Sequence, residues 1–145
     1  MPLLNYTTSI KPEKTIAEIH QILAKAGASK IMTDYDNTGN IVALSFQLIL
    51  GDKPIAFTLP TDWRPVQKVL QEQRRRNSRV KDDEDAARRV AWRITKDWVE
   101  AQMAIIETRM VTPAQVFLPY AVTTSGQLMY EYVATNTGLL LGDGK

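Results

Sequence analysis

Ile41-Val42-Ala43-Leu44-Ser45-Phe46-Gln47-Leu48-Ile49-Leu50 is the stretch whose period decides the fold. Val42, Leu44, Phe46 and Leu48 fall on one face of a period-two segment, and Ala43, Ser45 and Gln47 fall on the other, which predicts a half-buried strand. Residues 30–35 upstream and 55–59 downstream are also rich in β-branched and aromatic types. Asp36-Asn37-Thr38-Gly39-Asn40 and Gly51-Asp52-Lys53-Pro54 separate the three runs, and both are turn chemistry. Connections this short join antiparallel strands, so the reading is a meander with one covered face. Residues 3–10 are read as a fourth strand.

Around this sheet the period changes to that of helices. In residues 12–26, Ile16, Ile19, Leu23 and Ala26 form one stripe, with Pro12 suited to the first turn and Gly27 to the position past the end. A second helix is expected over residues 63–73, capped by Thr61 or Asp62. The third and longest starts near Asp82 or Asp83 and runs to Glu107, with Asp83, Glu84 and Asp85 placed where the helix dipole favours acids. Its core seam is read as Ala87, Ala91, Ile94, Trp98, Ala101 and Ile105, flanked by a second stripe of Trp92, Val99, Met103 and Ile106. So wide an apolar face implies burial against a sheet plus a helix, or against another subunit. Residues 116–141 form an apolar tail with Pro119, Gly126 and Gly138, expected as short helical and extended pieces. The expected class is α+β: an antiparallel three- to four-stranded sheet with an N-terminal helix and a C-terminal helical half, in one domain over residues 1–145.

Composition narrows the chemistry. With 44% hydrophobic and 23% charged residues the chain is of the globular rather than the disordered kind. It has no cysteine, which removes disulfides and thiolate metal sites, and one histidine, His20, which removes a His-rich zinc site within one chain. Met1 to Thr8 has neither a basic n-region nor a sustained apolar run, and no stretch approaches about 20 apolar residues, so neither a signal peptide nor a membrane span is expected. A cytoplasmic location is expected on those grounds.

The motifs that resemble catalytic ones are incomplete. Asp34-Tyr35-Asp36-Asn37-Thr38 resembles the DxDxT nucleophile motif of haloacid-dehalogenase-type phosphotransferases, which implies Asp34 as nucleophile and magnesium between the two aspartates. The parallel βαβ core of that family is missing, and Asp82-Asp83 follow a basic segment rather than an apolar strand. The same residues partly match an EF-hand loop, but the twelfth position is Ser45. A hairpin turn accounts for them more simply. His20 sits beside an apolar stripe as a boundary residue, and Ser125-Gly126 lacks a nucleophile elbow. No catalytic residue, cofactor or metal is assigned.

Charge carries the clearest signal. The chain is +2 overall, whereas residues 64–81 hold seven Lys or Arg against Glu72 alone. Lys68, Arg74, Arg75, Arg76, Arg79 and Lys81 form the dense part. Arg89, Arg93 and Lys96 continue it as a helical ridge beside Trp92, with Arg88 between. Guanidinium groups fork phosphate oxygens, and neighbouring aromatic and amide groups suit base contacts. The bland reading is a solvated helix-loop-helix, partly neutralised by Asp82 to Asp85.

The stretches Ile41–Leu48 and Phe57–Pro60, Ala91-Trp92-Arg93-Ile94-Thr95-Lys96-Asp97-Trp98-Val99-Glu100-Ala101-Gln102, and Val116-Phe117-Leu118-Pro119-Tyr120 resemble small proteins of bacteriophages and integrated elements. That resemblance implies a genetic setting, and hence a host-cell cytoplasm, but no catalytic residues. The leading expectation is a non-catalytic nucleic-acid-binding accessory protein that uses the nine cations named above other than Arg88. The alternative is a protein-interaction module, a homo-oligomer or an inhibitor of a host complex, with Trp92 and Trp98 as its aromatic anchor.

Overall fold

The computed structural model describes residues 1–140. It is an α+β fold built on a three-stranded antiparallel sheet in the order β1-β2-β3, with β1 at Lys30–Tyr35, β2 at Ile41–Leu50 and β3 at Lys53–Thr58. Helix α1, Pro12–Lys25, precedes the sheet; α2, Trp63–Arg76, and α3, Glu84–Glu107, follow it. Short helices α4, Pro113–Phe117, and α5, Met129–Ala134, with 3-10 turns at Leu118–Tyr120 and Thr137–Leu139, make up the tail. Leu141, the last residue of the apolar tail in the sequence reading, lies outside the described residues.

The meander forms as its pattern dictates. Leu44, Phe46 and Leu48 are buried on the core face, while Val42, expected beside them, is 44% exposed. The pairing register shifts between Asp34 and Tyr35, so that Val42 has no partner on β1, and the bulge turns it away from the core. The turn after β2 is tighter than expected, because Leu50 pairs with Lys53 around Gly51-Asp52, with Gly51 at φ 67°. Pro54 joins β3 because it sits opposite Ile49 on an edge strand, where its missing N–H is not required.

Residues 3–10 form no strand. They fold into turns, with the Tyr6 N–H donating to the Leu3 carbonyl and the Thr8 N–H to the Asn5 carbonyl, and Asn5 at φ 64°. The reason is tertiary. Leu3 and Tyr6 both pack into a cluster centred on Leu70, Val80, Ala87 and Val90, and a turn brings the two side chains to one side. The Leu3 N–H donates to Gln73 Oε1, and Asn5 Nδ2 donates to Asp97 Oδ2 at 2.8 Å, which fastens the segment across α2 and α3.

The helix ends follow their capping chemistry. Asp62 caps α2 by accepting from the Arg64 N–H, and Asp83 caps α3 by accepting from the Ala86 N–H at 3.0 Å. Helix α2 runs three residues past the expected Gln73, through Arg74, Arg75 and Arg76. Nothing in that run breaks a helix, and cations suit a helix C-terminus.

Two cores meet on α3. The larger holds Ile16, Ile19 and Leu23 of α1, Leu44, Phe46, Leu48, Phe57 and Leu59 of the sheet region, Trp92 and Val99 of α3, and Phe117 and Ala121 of the tail. The smaller joins Leu70 to Val80, Ala87 and Val90. The expected second stripe, Trp92, Val99, Met103 and Ile106, therefore faces the larger core, while Ala87 and Ile94 of the expected seam face the smaller one. Ala101, expected in the seam, is exposed.

Phe117 knits the tail to the sheet. Its ring lies 5.3 Å from Phe46 edge-on, 5.8 Å from Phe57 and 5.8 Å from Trp98, and it is fully buried. Replacing Phe117 by Ala should cost about 3–5 kcal/mol of folding stability. Chemical denaturation measures this, and a loss below about 1 kcal/mol would mean the tail is not part of the cooperative core.

Candidate nucleic-acid interface

The nine cations named from the sequence do not form one track. Three of them, all on α3, are held by partners. Arg93 is paired with Glu18 of α1 at 2.8 Å, its guanidinium also reaching Thr15 Oγ1 at 3.4 Å, and its side chain is only 14% exposed. Lys96 pairs with Glu100 at 3.1 Å with its side chain 15% exposed. Arg89 is half-buried and its Nε donates weakly to the Thr8 carbonyl. The expected ridge thus loses Arg93 and Lys96 as phosphate contacts. Half-buried charges are retained next to opposite charges because leaving them unpaired is costly.

Arg88, within the same run, is buried. It bonds Glu84 through both Nε and Nη2, at 2.9 and 2.7 Å, and its guanidinium lies 4.9 Å from the Trp63 ring centre. The stacking of Arg88 on Trp63 fastens the start of α2 to the start of α3.

The aromatic anchor of the interaction reading changes as well. Trp92 is 3% exposed and belongs to the larger core, so it is not a recognition surface. Trp98 is half-buried, edge-on to Phe117 and to Tyr120 at 5.8 and 5.6 Å. Both tryptophans serve packing.

What remains is gathered at the C-terminal end of α2 and in the loop after it. Arg74, Arg75, Arg76, Arg79 and Lys81 are all exposed, and Lys68 is exposed further back along α2. Arg74 is partly committed, since its Nη1 donates to the Val80 carbonyl and closes the loop. Arg75 makes an exposed pair with Glu72 at 3.3 Å; such pairs contribute little and exchange readily. Among the described residues, Arg76, Arg79, Lys81 and Arg89 have no carboxylate within ion-pair distance.

Two clefts open between this basic loop and the N-terminal turn. One, of about 210 Å³, is lined by Met1, Pro2, Tyr6, Gln73, Arg76, Asn77 and Val80. The other, of about 170 Å³, is lined by Tyr6, Thr7, Thr8, Ser9, Arg79, Lys81 and Arg89, together with Val80 and Ala86. Tyr6 and Val80 are common to both. Four cations therefore converge on hydroxyl and amide groups around one aromatic ring. Those are the group types that hold phosphate oxygens and stack a base. The N-terminal contributors, Tyr6 to Ser9, were not found from sequence: they lie some seventy residues from Arg76 and carry no motif of their own.

The carboxylates with a catalytic resemblance are occupied otherwise. One Asp36 oxygen accepts from the Thr38 hydroxyl at 2.7 Å and from the Thr38 and Asn40 N–H groups, both at 2.9 Å. Asp34 lies exposed on an edge strand of an antiparallel sheet. Among the described residues no group of three or more acidic, His or Cys side chains is arranged to hold a metal, and no helix is long and apolar enough to cross a membrane. Comparison with protein-family models, with curated proteins and with solved structures finds no match.

Two outcomes follow from this geometry. Trp92→Ala should lower stability by about 3–5 kcal/mol, as for a buried ring; an unchanged unfolding midpoint would return Trp92 to the surface. The Thr38 hydroxyl, and after it the Asn40 N–H, hold the Asp36 carboxyl below the ordinary carboxylate value. A depressed folded value makes the turn's contribution complete above the unfolded pKa and lost as pH falls through the folded one. The stability difference between the native chain and Asp36→Ala should therefore shrink below about pH 4. Denaturant midpoints across acidic pH measure it, and a constant difference would detach Asp36 from the turn's stability.

Proposed function

We propose that this chain is a non-catalytic nucleic-acid-binding accessory protein, whose contact surface is the end of α2, the loop after it and the N-terminal turn. The observation that carries the reading is the convergence of Arg76, Arg79, Lys81 and Arg89, none with a carboxylate partner among the described residues, on two adjoining clefts that share Tyr6. Arg75 and Lys68 extend the surface along α2, and Arg74 both holds the loop and presents its charge beside it. A phage or integrated-element setting, implied by the resemblance in sequence, fits a small protein of this kind.

The physical logic is that of phosphate binding. Cations at a helix C-terminus already offset the carbonyl end of the dipole, so a ligand must supply enough negative charge to compete. A polyanion does so through several contacts at once and releases counterions as it binds. Tyr6, half-buried against the Leu70 cluster, lines both clefts and is the aromatic group beside the cations, and a preference for unpaired nucleic acid rests on a base reaching it there.

The expected outcome is binding of single-stranded DNA or RNA that weakens steeply between about 50 and 200 mM salt. Replacing Arg75, Arg76 and Arg79 by Ala together should flatten the log–log salt slope by about 0.7 to 0.9 for each phosphate no longer neutralised. Arg93→Ala with Lys96→Ala should leave the slope unchanged. Fluorescence-polarisation titrations measure both; an unchanged slope in the triple variant would remove the loop from the site.

A further inference from the structure

The two edges of the sheet are finished differently. At the β3 edge the tail returns: Phe57 bridges Ala121, and the Val122 N–H donates to the Ala56 carbonyl at 2.8 Å. Among the described residues the β1 edge has no such cover; β1 pairs with β2 and with no strand on its other side. An uncovered edge strand presents a row of unpaired backbone groups ready to pair with another chain.

Which groups those are follows from the register. The Leu59 N–H donates to the Leu44 carbonyl, so Leu44, Phe46 and Leu48 direct their backbone groups toward β3. Ala43, Ser45 and Gln47 then direct theirs toward β1, where they pair with Asp34, Met32 and Lys30. Ile31, Thr33 and Tyr35 are left with N–H and C=O aimed outward.

The side chains on this edge are self-complementary. Lys30 and Asp34 are both exposed, and among the described residues neither takes part in an ion pair or a side-chain hydrogen bond. Met32, midway between them, is 59% exposed. If two β1 strands meet antiparallel about a two-fold axis at Met32, Ile31 of each copy exchanges backbone bonds with Thr33 of the other. The same register sets Met32 against Met32 and Lys30 against Asp34, both in the non-hydrogen-bonded positions where side chains come closest. A lysine on an edge ordinarily repels a second copy, but here the opposing residue is its counter-ion. We propose that β1 is a dimerisation edge, and that two copies of this chain join there into one continuous six-stranded antiparallel sheet with two-fold symmetry.

This proposal is independent of the nucleic-acid reading, because none of its residues lies in the basic clefts. Sedimentation velocity on the purified full chain, across about 1 μM to 1 mM, should show a concentration-dependent shift from one chain to two. Lys30→Asp and Asp34→Lys each place two like-charge pairs across the axis, and each should weaken self-association at least about tenfold. An equimolar mixture of the two single variants restores both pairs, as does the double variant, and both should dimerise like the native chain. Thr33→Pro removes an outward N–H and also the hydroxyl that meets His20 Nε2 at 3.2 Å, so Thr33→Val serves as its control: the proline variant should abolish the dimer, the valine variant should keep it, and both should show the circular dichroism of the native fold. A native chain that stays monomeric throughout the range, or a dimer indifferent to both single charge changes, would overturn the proposal.

Discussion

Helix α3 is buried on two sides at once, and most of the remaining structure follows from that. One side carries Trp92 and Val99 into the core formed with α1, the sheet and Phe117; the other carries Ala87 and Val90 against Leu70 and Val80. A helix with this double duty leaves only a narrow lane for polar side chains. Its small residues, Ala86, Ala87 and Ala91, are buried where neighbours approach closely. Close packing of this sort tolerates little change in volume.

The same constraint sorts the cations. Those that α3 carries within its packed length must find partners, because a charge left half-buried and alone is costly. Arg88 lies between Glu84 and Trp63, Arg93 reaches Glu18 on α1, and Lys96 folds back to Glu100. Arg88 and Arg93 act as fasteners between elements, while the Lys96 pair stays within α3. The cations without a carboxylate partner among the described residues lie mostly where the backbone leaves the packed region, at the end of α2 and in the following loop, joined by the half-buried Arg89 from the first turns of α3. A cluster that looks continuous in the chain is thus divided by burial into a structural part and an available part.

The sheet shows a comparable division. Its core face is sealed by aromatic contacts among Phe46, Phe57 and Phe117, and its β3 edge is finished by the returning tail. The other edge is left with exposed charge of both signs, spaced so that opposite charges meet under a two-fold axis. No residue of that edge lines either basic cleft, so the proposed pairing of two copies would leave both clefts open.

The sequence by itself determined the local elements. Alternation over Ile41 to Leu50 specifies a strand, the Asp-Asn-Thr-Gly-Asn and Gly-Asp segments specify its turns, and Asp62 and Asp83 specify where two helices begin, because each rests on contacts within a few residues. The α+β class was legible for the same reason. Only the tertiary structure decided what those elements do. The N-terminal segment turns instead of extending, since Leu3 and Tyr6 gain more by packing on Leu70 and Val80 than a fourth strand would provide. Trp92 is core, Arg93 is a fastener, and Tyr6 to Ser9 join Arg76, Arg79, Lys81 and Arg89 around two clefts. Each of these depends on residues distant in the chain, and burial is set by which of them arrive. A sequence states the charge of a side chain; whether that charge is free is decided by its neighbours.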